Sequence, residues 1–189
     1  AFTHFVIPRF TRTRLPSVAG IQDLYAGVTE NDNRNALLAA DTLKLVREGR
    51  TPILLTERKE HAAQLAALLE GKVHHVFLLI GSDKQKDKRE KIAALQAVPT
   101  DEDIVVIATG KYIGEGFDFP RLDTLLLVMP ISWKGTLAQY AGRLHRNYEG
   151  KHEVRIYDYV DVHVPTLDRM YHKRLKVYAE LGYQVKFGE

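Results

Sequence analysis

Short, unbroken apolar runs constrain this chain most. "TPILLT", "VHHVFLLIG", "EDIVVIATG" and "LDTLLLVMP" are too short for buried helices and too apolar for half-exposed strands. Such runs mark strands covered on both faces, and sheets covered on both faces are normally parallel. Parallel strands need long crossovers, and the segments between the runs supply them. "TENDNRNALLAADTLKLVREGR" has Asn and Asp at its start, Leu and Ala at helical spacing and Gly49 at its stop. "ERKEHAAQLAALLEG" ends at Gly71, "DKQKDKREKIAALQAV" has a charged outer face, and "GTLAQYAGRLHR" follows the fourth run. "HEVRIYDYV" reads as a fifth strand, "TLDRMYHKRLKVYAELG" as a long helix and "YQVKF" as a final strand. The expected fold is α/β: a three-layer parallel sheet with helices on both faces and ligand loops at the strand carboxyl ends.

With 189 residues and 45% hydrophobic content, the chain can bury one good core, so one compact domain is expected. A formal net charge of +3 permits nucleic-acid binding without requiring it. The absence of cysteine excludes disulfides and thiolate metal sites. No apolar run approaches membrane-spanning length, so a cytoplasmic protein is expected.

The chemistry concentrates in two stretches. In "QYAGRLHR", read as one helix, Gln139, Arg143 and Arg146 fall at i, i+4 and i+7 and form one stripe. Leu137, Tyr140, Ala141 and Leu144 form the opposite, packing stripe. Positions 139, 140, 142, 147 and 150 offer neither arginine an acid, and planar, permanently charged forks facing one way suit a phosphate cluster. A solvated basic face is the alternative for two arginines alone. The second stretch, "ATGKYIGEGFDFP", leaves the end of an apolar strand. Gly114 and Gly116 would let backbone approach a ligand, and Asp118 could accept two ribose hydroxyls. A tight turn is the alternative. No G-x-x-x-x-G-K-[ST] phosphate loop occurs in the sequence.

Several features carry less. His74 and His75 are adjacent on a strand, so they point to opposite faces. Asp161 and His163 could share a face as metal ligands, but no third ligand is evident, and a capped loop explains them. No metal site is expected. Trp133 could stack on a base or anchor its loop. Lys173, Arg174 and Lys176 could touch nucleic acid, while Met170, Leu175, Tyr178 and Leu181 should pack that helix on the domain. Arg9, Arg12 and Arg14 have no acid nearby in sequence, which suggests a linker.

The run "VVIATGKYIGEGFDFPRLDTLLLVMPISWKGTLAQYAGRLHR" resembles the second motor domain of superfamily 2 helicases, closest to the DEAD/DEAH-like restriction and repair type. "ATG…GEGFD" is similar to helicase motif V, "QxxGRxxR" to motif VI and "PILLTERKEHAAQL" to motif IV. The resemblance implies a RecA-like domain whose ATP lies in the cleft toward a preceding domain of the same polypeptide. That partner would carry the P-loop and hold Mg2+. On this reading the chain is a piece of a longer protein: 1–28 an extended interdomain leader, 29–164 the motor domain, and 165–189 a packed helix and strand. Arg146 and Arg143 would be arginine fingers on the γ-phosphate, with Gln139 at the same phosphate or its attacking water. Gly114, Gly116 and Asp118 would contact the nucleotide. Thr56, Arg58, Gly81, Ser82 and Thr109 would hold the backbone of a DNA strand, or of RNA. The isolated chain is expected to hydrolyse no ATP. The alternatives are a degenerate helicase domain that only binds nucleic acid or protein, and an unrelated phosphate-binding α/β enzyme.

Overall fold

The computed structural model describes residues 2–16, 20–114, 117–131 and 134–188. Its elements in chain order are β1 (Thr3–Phe10), α1 (Ile21–Thr29), α2 (Asp32–Arg47), β2 (Pro52–Thr56), α3 (Lys59–Leu69), β3 (His75–Leu79) and α4 (Gln85–Gln96). There follow β4 (Ile104–Thr109), α5 (Gly110–Ile113), β5 (Thr124–Leu127), α6 (Lys134–Gly142), β6 (Glu153–Val160), α7 (Pro165–Glu180) and β7 (Gln184–Val185). The seven strands form one sheet in the order β3-β4-β2-β5-β6-β1-β7, and every pairing is parallel.

Three of the four apolar runs, β4, β2 and β5, lie side by side inside the sheet because they satisfy both of its faces, whereas the fourth, β3, is an edge strand and half-buried up to Leu79. Ile53, Leu55, Val106, Ala108, Leu125 and Leu127 face one core, shared with α4, α5, α6 and α7. Their neighbours Leu54, Val105, Ile107 and Leu126 face the other, under α2 and α3. Each fully buried leucine or isoleucine contributes roughly 1.5–3 kcal/mol, so this double alternation holds the layers together. The helix boundaries follow local chemistry. Asn31 accepts the backbone N–H of Arg34 at 2.8 Å and caps α2. Gly49, at φ 84, adopts the left-handed conformation that ends the same helix.

The leader departs from the sequence reading. Thr3–Phe10 is no free connector: it pairs with β6 through all eight residues, from Thr3↔Glu153 to Phe10↔Val160. Val6 is fully buried in the core. Arg9 does find an acid, since Asp41 of α2 accepts from its Nε at 2.8 Å and its Nη2 at 2.9 Å. The partner lies too far along the chain to be visible locally. α1 was likewise unforeseen; Val28 packs against Val164, Leu167 and Met170 at the start of α7.

Two buried ion pairs fix the loop after β5. Arg34 of α2 bonds both oxygens of Asp161 at 3.0 and 3.2 Å and the Val128 carbonyl at 2.6 Å. Thr11 donates to the same carboxylate at 2.6 Å. Asp161 is therefore an internal counter-ion, neither a loop cap nor a metal ligand. Arg174 of α7 bonds both oxygens of Asp158 at 2.7 and 2.8 Å and the Ile131 carbonyl at 2.6 Å. At 2% exposure, Arg174 is unavailable to nucleic acid, which removes it from the basic run that could touch a strand. Both arginines thus grip the Val128–Ile131 turn from opposite sides, and that turn leads into α6.

Candidate nucleotide and nucleic-acid sites

β4 ends at Thr109 and passes directly into the one-turn α5. Tyr112, Ile113, Phe117 and Phe119 are buried and pin the following loop to the core. Gly110 must be glycine: an added Cβ would fall 1.9 Å from Tyr140 Oη and 2.3 Å from Glu57 Oε1. Tyr140 donates to Glu57 at 2.9 Å, so the ends of β2 and β4 and the helix α6 meet at one point. Burial, and then the Glu57 carboxylate, push the Tyr140 phenol up, which keeps it a proton donor.

The expected stripe on α6 is not continuous. The helix ends at Gly142, and the N–H groups of Arg143, Leu144 and His145 bond three residues back, to Tyr140, Ala141 and Gly142. This tightening, after a residue of low helix propensity, gives the two arginines different surroundings. Arg143 turns toward α5 and donates from Nη2 to the Ile113 carbonyl at 2.9 Å. Its Nε is buried without a hydrogen-bond partner among the described residues. Arg146 leaves in another direction, with Nε 3.3 Å from Asp118 Oδ1. The arginine thus has an acidic neighbour after all, supplied by the other motif. The side chains are 60% and 46% exposed, so the pair is weakly held, worth roughly 0–1 kcal/mol. Gln139 is exposed, and its Nε2 lies 3.7 Å from where a Cβ on Gly114 would sit. Gln139 and Arg143 are therefore placed beside Gly114 and Ile113, and Arg146 beside Asp118, as two separate pairings, while Gly116 and Trp133 lie outside the described residues. Asp118 also borders a cavity of about 680 Å³ lined by Gln85, Arg89, Ile92 and Phe117. Among the described residues no cluster of three His, Cys, Asp or Glu could hold a metal.

The five residues expected on a strand divide by exposure. Arg58 and Ser82 are accessible; Arg58 donates to Gln22 Oε1 at 3.0 Å. Thr56 is only 1% exposed, its hydroxyl 2.9 Å from His61 Nδ1 and accepting the Arg58 N–H at 3.3 Å. The Thr109 hydroxyl is buried and accepts the Gly81 N–H at 2.9 Å. The last residues of β2 and β4 point inward, so Thr56 and Thr109, with Gly81 bonded to the latter, shape the loops and do not present free donors to a phosphate. Tyr140 lies on the packing face expected of it, but its bond to Glu57 depends on strand order and was not visible in the sequence.

Behind the Thr56 loop lies a buried relay. Asn35 donates from Nδ2 to the Thr29 carbonyl, which aims its Oδ1 at His61 Nε2, 2.9 Å away. That nitrogen carries the proton, and Nδ1 accepts from Thr56. The arrangement is shaped like a hydroxyl–imidazole relay, but the burial of Thr56 keeps substrate from it. Burial first, and then the charges of Arg34 and Arg58, lower the His61 pKa to about 3. The unfolded chain therefore binds a proton near pH 6.5 that the folded chain refuses, and stability falls as pH drops through that range. The expected loss between pH 7 and pH 5 is about 2 kcal/mol from this residue. Urea denaturation at the two pH values checks it, with His61→Gln expected to flatten the difference.

Residues 34–148 match the family described as "Helicase conserved C-terminal domain". Protein 161L of Invertebrate iridescent virus 6, provisionally named a helicase, is 33% identical over 167 residues. That alignment takes in 82% of this chain and 35% of the viral protein, so the chain spans about a third of that relative. An uncharacterized protein, 108L of Invertebrate iridescent virus 3, is 38% identical over 81 residues, 43% of this chain and 73% of that protein. Among solved structures, T4 UvsW is similar with a TM-score of 0.74 at 16% identity, covering 97% of this chain and 41% of its own. Mss116p DEAD-box helicase domain 2, bound to an RNA duplex, is similar with a TM-score of 0.62 at 11% identity, covering 98% of this chain and 65% of its own. With a family match across most of the chain, the chain belongs to the helicase conserved C-terminal domain family, and its all-parallel sheet has the RecA-like fold of the solved structures.

Proposed function

We propose that this chain is the second motor domain of an ATP-dependent DNA translocase, and that it completes an ATP site held by a preceding P-loop domain. The reading is carried by two pairings between the end of α6 and the segment after β4: Gln139 and Arg143 beside Gly114 and Ile113, and Arg146 beside Asp118. The site suits a triphosphate because, among the described residues, Arg143 Nε is buried without a hydrogen-bond partner and Arg146 is held by a weak, solvent-accessible pair. In this scheme Arg146, with Arg143 behind it, neutralises charge developing on the transferred phosphoryl group, and Gln139 orients the attacking water. Asp118, released from Arg146, becomes free to accept ribose hydroxyls. Mg2+ is assigned to the P-loop domain. Arg58 and Ser82 hold the strand by its phosphates, a contact that reads no sequence. Because the arginines meet the phosphate only when the two domains close, hydrolysis is coupled to domain movement.

The test is ATP hydrolysis by the chain alone and by the polypeptide that joins it to a P-loop domain. The chain alone should be inactive, and the joined form should be stimulated by single-stranded DNA. A joined form with full turnover and no response to any nucleic acid would contradict the translocase reading. Stimulation by RNA alone would change the strand.

A further inference from the structure

Lys151 follows the turn that carries Arg146 and precedes β6. Its ammonium donates to the Arg146 carbonyl at 2.8 Å and to the Pro120 carbonyl at 3.0 Å. Pro120 stands just past Asp118, so one side chain ties the loop bearing Asp118 to the turn bearing Arg146. The ammonium also lies 5.1 Å from the centroid of the Phe2 ring, which covers it from β1's end of the sheet. On the other side of the arginine, His145 Nε2 is 2.7 Å from Tyr183 Oη, and its ring meets His4 edge-on at 5.0 Å. The backbone of Arg146 is thereby fixed on both flanks while its side chain remains free to swing.

We propose that Lys151 is a positioning residue that sets Arg146 and Asp118 in register for the bound nucleotide. The assignment rests on reading Arg146 as the phosphate-facing arginine. Two donors from one charged group are hard to replace: a neutral side chain leaves both carbonyls without a partner. Burial lowers the Lys151 pKa to about 8, with Asp123 pulling upward and Arg50 downward. The other titratable groups around it are His145, whose pKa burial and the neighbouring His4 and Lys151 lower, and Arg121 and Glu149 of the polar cavity beneath it. The ammonium fraction therefore falls as pH rises through about 8.

The test compares Lys151→Met, Lys151→Arg and Arg146→Ala in the full polypeptide that carries this chain, using its nucleic-acid-stimulated ATP hydrolysis. Methionine keeps the alkyl packing on Phe2 and removes the charge. Lys151→Met should lower kcat by about tenfold to a hundredfold with KM for ATP unchanged. Lys151→Arg should restore most of it and keep at pH 9 the turnover that the parent loses. Parental kcat in Lys151→Met, beside a large loss in Arg146→Ala, would overturn the proposal and leave the finger intact. Parental kcat in Arg146→Ala would remove both. Where Lys151→Met does not fold, the lysine and arginine forms still decide: equal decline of both above pH 8 overturns the proposal.

Discussion

Arg146→Ala in the joined motor is expected to lower ATP turnover by about 10³-fold or more, with ATP affinity little changed. The reasoning is electrostatic. A triphosphate is gripped mainly by the domain with the P-loop, so ground-state binding survives loss of a charge from the opposite lobe. The transferring phosphoryl group needs that charge, because its oxygens gain negative character in a site from which water is excluded. Arg146 is suited to this exchange: its partner Asp118 holds it at 3.3 Å through one nitrogen, at the surface. An arginine buried like Arg34 or Arg174 could not leave its carboxylate. Single-turnover and steady-state kinetics together with nucleotide titration separate the two effects. Equal losses of turnover and affinity would mean that Arg146 acts in binding only.

The largest stability effect is expected at Asp158. Its carboxylate is fully buried and accepts from Arg174 Nε, Arg174 Nη2 and Tyr178 Oη, the last at 2.5 Å. Asp158→Ala leaves a buried guanidinium without its counter-ion, at a cost of about 3–5 kcal/mol. It also frees the Arg174 grip on the Ile131 carbonyl, so α6 loses one of its two mounts. Pairing Asp158→Leu with Arg174→Met removes both charges, and the double variant should recover much of the loss. Chemical denaturation of the two forms checks this. A double variant no more stable than Asp158→Ala would show that shape, and not charge, governs the site.

The sheet was legible because its central strands obey one physical rule. Residues buried on both faces, such as Ile53 to Leu55 and Leu125 to Leu127, leave no polar position and read directly from the chain. β1 was not legible for the opposite reason. With its polar residues and Pro8 it is a strand only because β6 runs beside it, a partner far along the sequence. α5 is a single turn, too short to show a period. The components of the candidate site could be named from spacing, but not their pairing. Helical projection placed Gln139, Arg143 and Arg146 on one stripe, and the break at Gly142 sent the two arginines to Ile113 and Asp118 instead. Thr56 and Thr109 end β2 and β4, as the sequence suggested, yet side-chain direction at a strand's last residue follows the pleat, and both turned inward.

The most direct measurement is a structure of the joined domains with ADP, Mg2+ and a planar phosphoryl mimic. The Arg146 guanidinium is expected within hydrogen-bond distance of the mimic, with Asp118 released from it and Lys151 still on the Pro120 and Arg146 carbonyls. Arg146 still on Asp118, with both Arg143 and Arg146 away from the mimic in a closed cleft, would contradict it.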